Sequence, residues 1–252
     1  MRLVVLGSGT CVPSGQRSSS GYWIEAGAAR LRLDCGSGTV HAMARFGLPW
    51  TTLTHQVITH FHIDHVGELP ALLFALRYGR STPRSAPLSL VGPSGLRALV
   101  EGFERLLNQR LLEQEFPVDV VELAPDAVIE LGGGAKLRVA KTPHTTESLA
   151  VRVEHDGRSI GYTGDTSPSD ELADFFAGVD LLVAECSFLD NAKQTPHLCA
   201  DDVARLATMA GAGRLLATHS YFDPEAAGLA TRLARGYAGP IGIAEDGMLV
   251  AV

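Results

Sequence analysis

The 252-residue sequence predicts an α/β fold, with residues 1–252 forming a single layered domain. Two observations lead to this prediction. Short apolar runs with the character of β-strands alternate with helical patterns along the chain, and no linker divides it. In addition, five of the apolar runs end in a histidine or an acid, as is typical of α/β folds in which strand ends form a site at one edge of a sheet.

The predicted elements follow one another closely along the chain. Strands are predicted at Arg2–Leu6, Tyr22–Glu25, Leu31–Asp34, Gln56–Thr59, Leu88–Val91, Lys136–Ala140, Leu149–Val153, Ser159–Thr163, Leu181–Ala184, Arg214–Thr218, Ile241–Ala244 and Met248–Val252. Helices are predicted at Gly67–Arg77, Ser94–Leu107, Ser169–Phe176, Ala200–Ala210 and Pro224–Arg235. Turn residues predict hairpins at His155–Arg158 and Glu245–Gly247.

Composition and charge narrow the range of partners. A formal net charge of −7 argues against a broad electrostatic surface for nucleic acid, DNA included. No apolar run approaches the length that spans a membrane. The four cysteines lie far apart and form no C-x-x-C pair, which favours free thiols in a reducing compartment. We therefore expect a cytoplasmic protein without a membrane or DNA partner.

The segment H-F-H-I-D-H, His60–His65, places three histidines and an aspartate in six positions. His60 and His62 project to the same side of an extended segment and can bind one metal ion. Asp64 and His65 follow where the chain turns toward a helix, and they can face a second ion. Imidazole and carboxylate ligands suit zinc, and also manganese or iron. A solvated histidine-rich loop is the alternative, but it explains a lone H-x-H better than this longer pattern.

Four further apolar runs provide side chains that can complete such a site. They end at His144, Asp165, Glu185 and His219. Taken singly, each has an ordinary explanation: Asp165 can cap the following helix, and His144 or His219 can be a hydrogen-bonded loop histidine. Taken together, five strands that deliver polar groups at the same end favour a metal site.

H-F-H-I-D-H, a distant histidine, G-D-T (Gly164–Thr166) and T-H (Thr218–His219) together resemble the metallo-β-lactamase superfamily over nearly the whole chain. The resemblance implies an αββα four-layer sandwich, with two sheets face to face, helices outside and a two-metal site at one edge. Matching positions imply one zinc ion bound by His60, His62 and His144, a second bound by Asp64, His65 and His219, and Asp165 as the bridge. Iron-using members typically carry a glutamate in place of His62, so the resemblance is to a zinc hydrolase.

A finer resemblance is to the RNase Z-like phosphodiesterases. It is carried by L-D-C-G-S-G-T (Leu33–Thr39), D-L-L-V-A-E-C-S-F (Asp180–Phe188) and P-H-L-C-A-D-D-V-A (Pro196–Ala204). The last two segments imply that Glu185 and His197 lie beside the metal site. Leu198 and Cys199 depart from this pattern, because the branch has serine and threonine there.

The transfer-RNA arm of RNase Z has no counterpart in the sequence. That arm belongs between His144 and Asp165, but only twenty residues separate them, and two strands with a hairpin fill this interval. The phosphoribosyl cyclic-phosphate phosphodiesterase of the carbon–phosphorus lyase pathway is therefore a second resemblance. It is supported by D-G-M (Asp246–Met248) before the last strand.

The implied site predicts a hydrolase of phosphodiesters. Two zinc ions outweigh the charge of two carboxylate ligands and a hydroxide, so the site favours an anionic phosphodiester over a neutral amide or ester. Asp64 is expected to orient the attacking hydroxide. His197, held by Glu185, is expected to protonate the leaving oxygen, whereas a helix-capping surface histidine is its alternative role.

The substrate prediction is a small cyclic phosphate or nucleotide, or a short RNA 3′ end. A tRNA 3′-processing endoribonuclease and a carboxylic-ester or lactone hydrolase of the same fold are the alternatives. A metal-binding regulatory protein that senses a ligand without turnover is a third possibility.

The helix after the cluster predicts two surface features. One of its faces can fill the core, at Leu69, Leu72, Leu73 and Leu76, yet much of the remainder is also apolar, at Ala71, Phe74, Ala75 and Tyr78. A second apolar face favours a homodimer. Just beyond this helix, Arg77, Arg80 and Arg84 are expected to form one modest basic patch that contacts a phosphate or two.

Overall fold

The structure, a computed structural model, describes residues 1–79, 84–190 and 196–252, which contain two sheets of seven strands each. The first sheet consists of β1 (Arg2–Gly7), β2 (Gly21–Ala26), β3 (Ala29–Leu33), β4 (His55–Val57), β5 (Leu88–Pro93), β6 (Val118–Leu123) and β14 (Leu249–Ala251). The second consists of β7 (Val128–Gly132), β8 (Ala135–Lys141), β9 (Leu149–His155), β10 (Arg158–Tyr162), β11 (Leu181–Glu185), β12 (Leu215–Thr218) and β13 (Ile241–Ile243). Their spatial orders are β14-β1-β2-β3-β4-β5-β6 and β13-β12-β11-β10-β9-β8-β7.

Helices cover the outer faces of both sheets. They are α1 (Thr39–Arg45), α2 (Ile63–Val66), α3 (Leu69–Tyr78), α4 (Leu96–Leu107), α5 (Asp170–Phe175), α6 (Ala200–Met209) and α7 (Leu229–Leu233), with a 3₁₀ helix at Trp50–Thr52. Each helix in the described ranges is too short or too polar to span a bilayer.

Three apolar cores give the protein its layers. Inward-facing side chains of both sheets, such as Ile24 and Val153, form the core between the sheets. A second core joins the second sheet to α5, α6 and α7, and a third joins the first sheet to α1, α3 and α4. Helix, sheet, sheet and helix layers therefore follow one another, and the predicted αββα sandwich is confirmed.

Parallel strands bring their carboxyl ends to one edge of this sandwich. In the first sheet β3, β4 and β5 run parallel, and in the second β10, β11, β12 and β13 do so. Strands covered on both faces are mostly apolar, as illustrated by the fully buried L-L-V-A-E of β11, in which only the last residue is polar. The loops that follow these ends are therefore the natural location for polar, functional side chains.

The turn residues predicted one hairpin correctly and one wrongly. β9 and β10 are antiparallel, and Asp156 and Gly157 turn between them with φ of 50° and 71°, as a type I′ turn requires. In contrast, Glu245–Gly247 connects β13 of the second sheet to β14 of the first, so it is not a hairpin.

The start of the last helix and the arginine patch were predicted incorrectly. The last helix begins at Leu229 rather than Pro224, because Gly228 has a left-handed φ of 64° and separates the turn after Asp223 from the helix. The proposed arginine patch is wrong as stated, because Arg84 is only 7% exposed and its guanidinium donates to four backbone carbonyls. Arg80, its predicted neighbour, lies outside the described residues.

Helix α3 has the two apolar faces that its sequence indicates. Its core face is buried at Leu69, Leu72, Leu73 and Leu76. On the opposite face Phe74 is 46% exposed and Tyr78 is 61% exposed, and their rings pack against each other at 4.6 Å. An exposed aromatic pair of this kind is available for contact with another surface.

Candidate metal centre

The H-x-H-x-D-H segment changes from extended chain to helix within six residues. His62 has extended backbone angles, and α2 begins at the next residue, so Asp64 and His65 lie in its first turn. The segment after β3 packs closely against it, because the Cys35 N–H donates to the His65 carbonyl at 2.6 Å. A Cβ atom at Gly36 would lie 2.1 Å from the Asp64 carbonyl oxygen, so only glycine permits this approach.

The remaining candidate side chains follow the ends of four strands. His144 follows β8, Asp165 follows β10, Glu185 is the last residue of β11 and His219 follows β12. Just before Asp165, Gly164 turns with φ of 56° and approaches the Thr59 side chain. Residues that follow strands of both sheets therefore lie at one edge of the sandwich, as the sequence predicted.

Among the groups of side chains that have the spacing of metal ligands, two share no residue. One group is His60, His62, His144 and Asp165, and the other is Asp64, His65 and His219. Within each group the potential ligand atoms all lie within 4.8 Å of one another. These groups match the ligand sets that the resemblance implies, although the assignment of each side chain as a ligand stays a prediction.

Asp165, which belongs to the first group, lies next to the second, and each of its carboxylate oxygens faces the histidines of one group. Its Oδ2 lies 3.8 Å from His60 Nε2 and 3.7 Å from His144 Nε2. Its Oδ1 lies 3.3 Å from His65 Nε2 and 3.7 Å from His219 Nε2. A carboxylate in this position can bridge two cations.

Polar atoms that point into this cluster fit a cation. Within the described part of the chain, His60 Nε2, His65 Nε2 and Asp165 Oδ1 are buried without a hydrogen-bond partner. Buried nitrogen and oxygen atoms left unpaired are costly unless something else satisfies them. Because imidazole and carboxylate are ligands of divalent transition metals, the residues present fit such ions.

Hydrogen bonds fix the orientation of four of the histidine rings through Nδ1. Their partners are Thr59 Oγ1 for His60 at 3.0 Å, Asp34 Oδ2 for His65 at 2.7 Å, the Pro196 carbonyl for His144 at 2.9 Å and Ser187 Oγ for His219 at 3.2 Å. Each contact leaves Nε2 directed to the cluster, the arrangement in which outer partners orient metal ligands. His62 differs, because its Nδ1 faces the cluster, 3.1 Å from His144 Nε2.

Asp34 is a functional residue that the sequence reasoning missed. It directly follows β3 and has a left-handed φ of 56°. Its Oδ2 accepts hydrogen bonds from His65 Nδ1 and, at 2.8 Å, from the Tyr162 hydroxyl, while Oδ1 accepts the Thr59 N–H. The same signal, an acid after an apolar strand, could have identified it.

Glu185 and His197 form a second polar unit beside the cluster. His197 Nδ1 lies 2.9 Å from Glu185 Oε1, and the His197 ring lies 4.9 Å from that of His144. Glu185 is buried, and it also accepts the Ser187 hydroxyl and the Thr166 N–H. These contacts fix the Glu185 carboxylate as the partner of His197.

Burial and charge set the protonation of these groups. Burial lowers the pKa of His60 and that of His144, which favours the neutral imidazole that ligates a metal. At His65, burial also acts to lower the pKa, but Asp165 and Asp34 outweigh it and raise the pKa well above the ordinary value. The carboxylates of Asp34 and Asp165 thus attract positive charge to this part of the cluster.

The hydrogen bond between Glu185 and His197 favours the protonated form of the imidazole. Burial raises the pKa of Glu185 above its ordinary value. Burial acts to lower the pKa of His197, but the hydrogen bond and charge of Glu185 outweigh this effect, and the net pKa of His197 is raised. A histidine of this kind is suited to donating a proton from its other nitrogen.

Comparison with known proteins agrees with this geometry. Residues 30–220 match a family described as the β-lactamase superfamily domain. Ribonuclease Z of Mycobacterium bovis is 30% identical, over 87% of this chain and 85% of its own. Among solved structures, the metallo-β-lactamase fold protein YhfI of Bacillus subtilis is 27% identical, with a TM-score of 0.81 over 99% of this chain and 98% of that one. The short form of human tRNase Z is 25% identical, with a TM-score of 0.82 over 100% of this chain and 99% of that one.

The matches extend across both sheets and include the clustered histidines and aspartates. Fold, family and a donor set that fits divalent metal ions agree with one another. The chain therefore belongs to the β-lactamase superfamily and is a metal-dependent hydrolase.

Proposed function

We propose that the protein is a dinuclear zinc-dependent phosphodiesterase, with manganese or iron as possible substitutes for zinc. The observation that carries this proposal is the placement of Asp165 between the two ligand groups, with one carboxylate oxygen toward each. One ion would be held by His60, His62 and His144, and the other by Asp64, His65 and His219. The two groups bring few negative charges to two divalent ions, so the site attracts an anionic phosphodiester.

The chain's own side chains have separate tasks in this reaction. Bound divalent ions act as Lewis acids that activate water near neutral pH and neutralise charge on phosphoryl oxygens. Asp64 orients the attacking water through its carboxylate, which His219 Nε2 approaches at 3.3 Å. His197 holds a proton, because Glu185 raises its pKa, and delivers it to the leaving oxygen. A sugar alkoxide is a poor leaving group, so this proton contributes directly to the rate.

The substrate that we propose is a small cyclic phosphate or nucleotide, or a short RNA 3′ end. Between His144 and Asp165 the chain forms only β9, a two-residue turn and β10, with no room for an arm that grips RNA. The net charge of −7 offers no broad basic surface in its place. Hydrolysis of precursor transfer RNA is the second candidate, because relatives named ribonuclease Z and tRNase Z favour it.

A direct comparison of substrates tests this proposal. Turnover of bis(p-nitrophenyl) phosphate, set against a lactone and a thioester, separates a phosphodiesterase from a carboxylic-ester hydrolase and from a binding protein without turnover. For the natural class, kcat/KM on cyclic nucleotides and ribose cyclic phosphates is expected to exceed that on precursor transfer RNA. A preference for precursor transfer RNA by orders of magnitude would establish the second candidate instead.

Domain organisation, oligomeric state and cellular compartment are proposed from the sheets, the exposed aromatic residues and the cysteines. We propose that residues 1–252 act as one domain, since both sheets contribute to each ligand group. The exposed Phe74 and Tyr78 on α3 support a homodimer. All four cysteines are free, which supports a reducing compartment such as the cytoplasm.

A further inference from the structure

A cavity of about 690 Å³ lies beside the metal centre. The segments after β1 and after β12 enclose most of it, including Thr10, Arg17, Tyr221 and Glu225. The Tyr221 ring lines the cavity and lies 5.8 Å from the ring of His219. The cavity therefore begins one ring away from the ligand groups, and its volume is in the range of small-molecule sites.

Tyr221 presents an aromatic surface to this cavity. Its ring stacks on Phe188 at 5.7 Å with an angle of 8° between the ring planes, so one face is covered. The residue nevertheless remains 40% exposed. The Tyr221 hydroxyl lies 3.4 Å from Cys11 Sγ. A rigid, partly exposed aromatic ring beside a phosphodiester site is suited to stacking on a nucleobase.

The charge of the cavity wall is negative. Four carboxylates line it, at Asp223, Glu225, Glu245 and Asp246, against the single guanidinium of Arg17. Arg17 Nη1 donates to Ser8 Oγ and to the Ala244 carbonyl, so this guanidinium is already hydrogen-bonded within the protein. A second phosphate in the cavity would be repelled, whereas an uncharged nucleoside, with hydroxyl and amino donors, would be accepted.

We propose that this cavity binds the uncharged nucleoside on one side of the scissile phosphodiester, with its base stacked on Tyr221. This inference rests on the proposed phosphodiesterase function and narrows its substrate class. The preferred substrate carries one phosphodiester and no further phosphate on the nucleoside that enters the cavity, as in a cyclic nucleotide or a terminal nucleoside of RNA.

The first experiment compares two esters with the same leaving group. One is the p-nitrophenyl ester of thymidine 5′-phosphate or 3′-phosphate, and the other is methyl p-nitrophenyl phosphate. The readout is the ratio of their kcat/KM values, because a general disturbance of the site lowers both together. Tyr221→Leu is expected to reduce this ratio about tenfold, and Tyr221→Phe, which retains the ring, is expected to keep it. An unchanged ratio in Tyr221→Leu overturns the proposal.

A second measurement does not depend on turnover. Thymidine itself is titrated calorimetrically into the wild-type protein and into Tyr221→Leu. Binding that is lost in Tyr221→Leu supports the cavity, and equal binding or no binding to the wild type overturns it. If the wild type cleaves neither ester, the proposed function fails while this titration still decides the question of the cavity.

The charge argument has its own test. Adding a phosphate to the free hydroxyl of the thymidine ester is expected to lower kcat/KM severalfold in the wild type. The double variant Glu225→Gln/Glu245→Gln removes two exposed carboxylates and is expected to reduce that discrimination. If the added phosphate increases kcat/KM in the wild type, the cavity does not select an uncharged nucleoside.

Discussion

The hydroxyl of Tyr162 is expected to control the affinity of one metal ion more strongly than that of the other. Tyr162 is buried on β10 of the second sheet and donates at 2.8 Å to Asp34, whose Oδ2 also accepts His65 Nδ1. Tyr162→Phe removes this donor and leaves the Asp34 carboxylate less well held. A hydrogen bond to a charged group contributes about 1.5–3 kcal/mol. Loss of an outer partner of a metal ligand typically reduces affinity about 10- to 100-fold, which is of similar size.

The assay is a stepwise zinc titration against a competing chelator, combined with the thermal midpoint of the metal-free protein. The ion at Asp64, His65 and His219 is expected to bind about 10- to 100-fold more weakly, while the affinity of the other ion, which Asp34 reaches only through Thr59 and His60, changes less. Tyr237→Phe is the matched control, because Tyr237 is also buried and its hydroxyl donates at 2.7 Å to the Ala212 carbonyl, away from the cluster. If both variants lose the same stability and neither loses affinity for zinc, Tyr162 has only a packing role and the reasoning is refuted.

Three further predictions concern ligands, proton transfer and assembly. Asp64→Ala and His144→Ala each are expected to lose metal and nearly all activity, whereas the exposed His41→Ala keeps both; full two-metal content by elemental analysis in either ligand variant contradicts the assignment. His197→Ala is expected to keep its metals and to lose about 10²–10⁴-fold in kcat on alkyl diesters, but much less on nitrophenyl diesters; equal losses indicate a structural role. Light scattering at micromolar concentration is expected to give a dimeric mass, and Phe74→Glu a monomeric one; a monomeric wild type rules out the dimer.

The buried strands could be predicted from the sequence, but two of the four edge strands, β6 and β7, could not. β11 and β12 are apolar up to their last residues, Glu185 and Thr218, because sheet neighbours and helices enclose them. β6 at one edge reads V-D-V-V-E-L, and most of its residues are partly or fully exposed, so it lacks an apolar run. Helix α1 escaped prediction because it is only seven residues long and begins after Gly38 without a side-chain cap.

The site residues that follow the ends of apolar strands could be predicted from the sequence. The nine candidate side chains lie together, because eight of them are at or after strand ends at one edge and the loop before α6 adds His197. The cavity could not be predicted, since residues near Thr10 and near Tyr221 are two hundred positions apart and carry no local pattern. Likewise, Tyr22 and Tyr162 look like ordinary core residues of strands, and nothing in their sequence context indicates which polar group each hydroxyl meets.

These two tyrosines connect the sheets reciprocally around the same ligand group. Tyr162 of the second sheet donates to Asp34, which follows a strand of the first. Tyr22 of the first sheet lies 2.7 Å from the hydroxyl of Thr218, which immediately precedes His219 in the second sheet. The two rings also contact each other at 4.8 Å. Because an error in packing between the sheets displaces His65 and His219 together, affinity for this metal ion depends on the interface between the sheets as well as on the ligands.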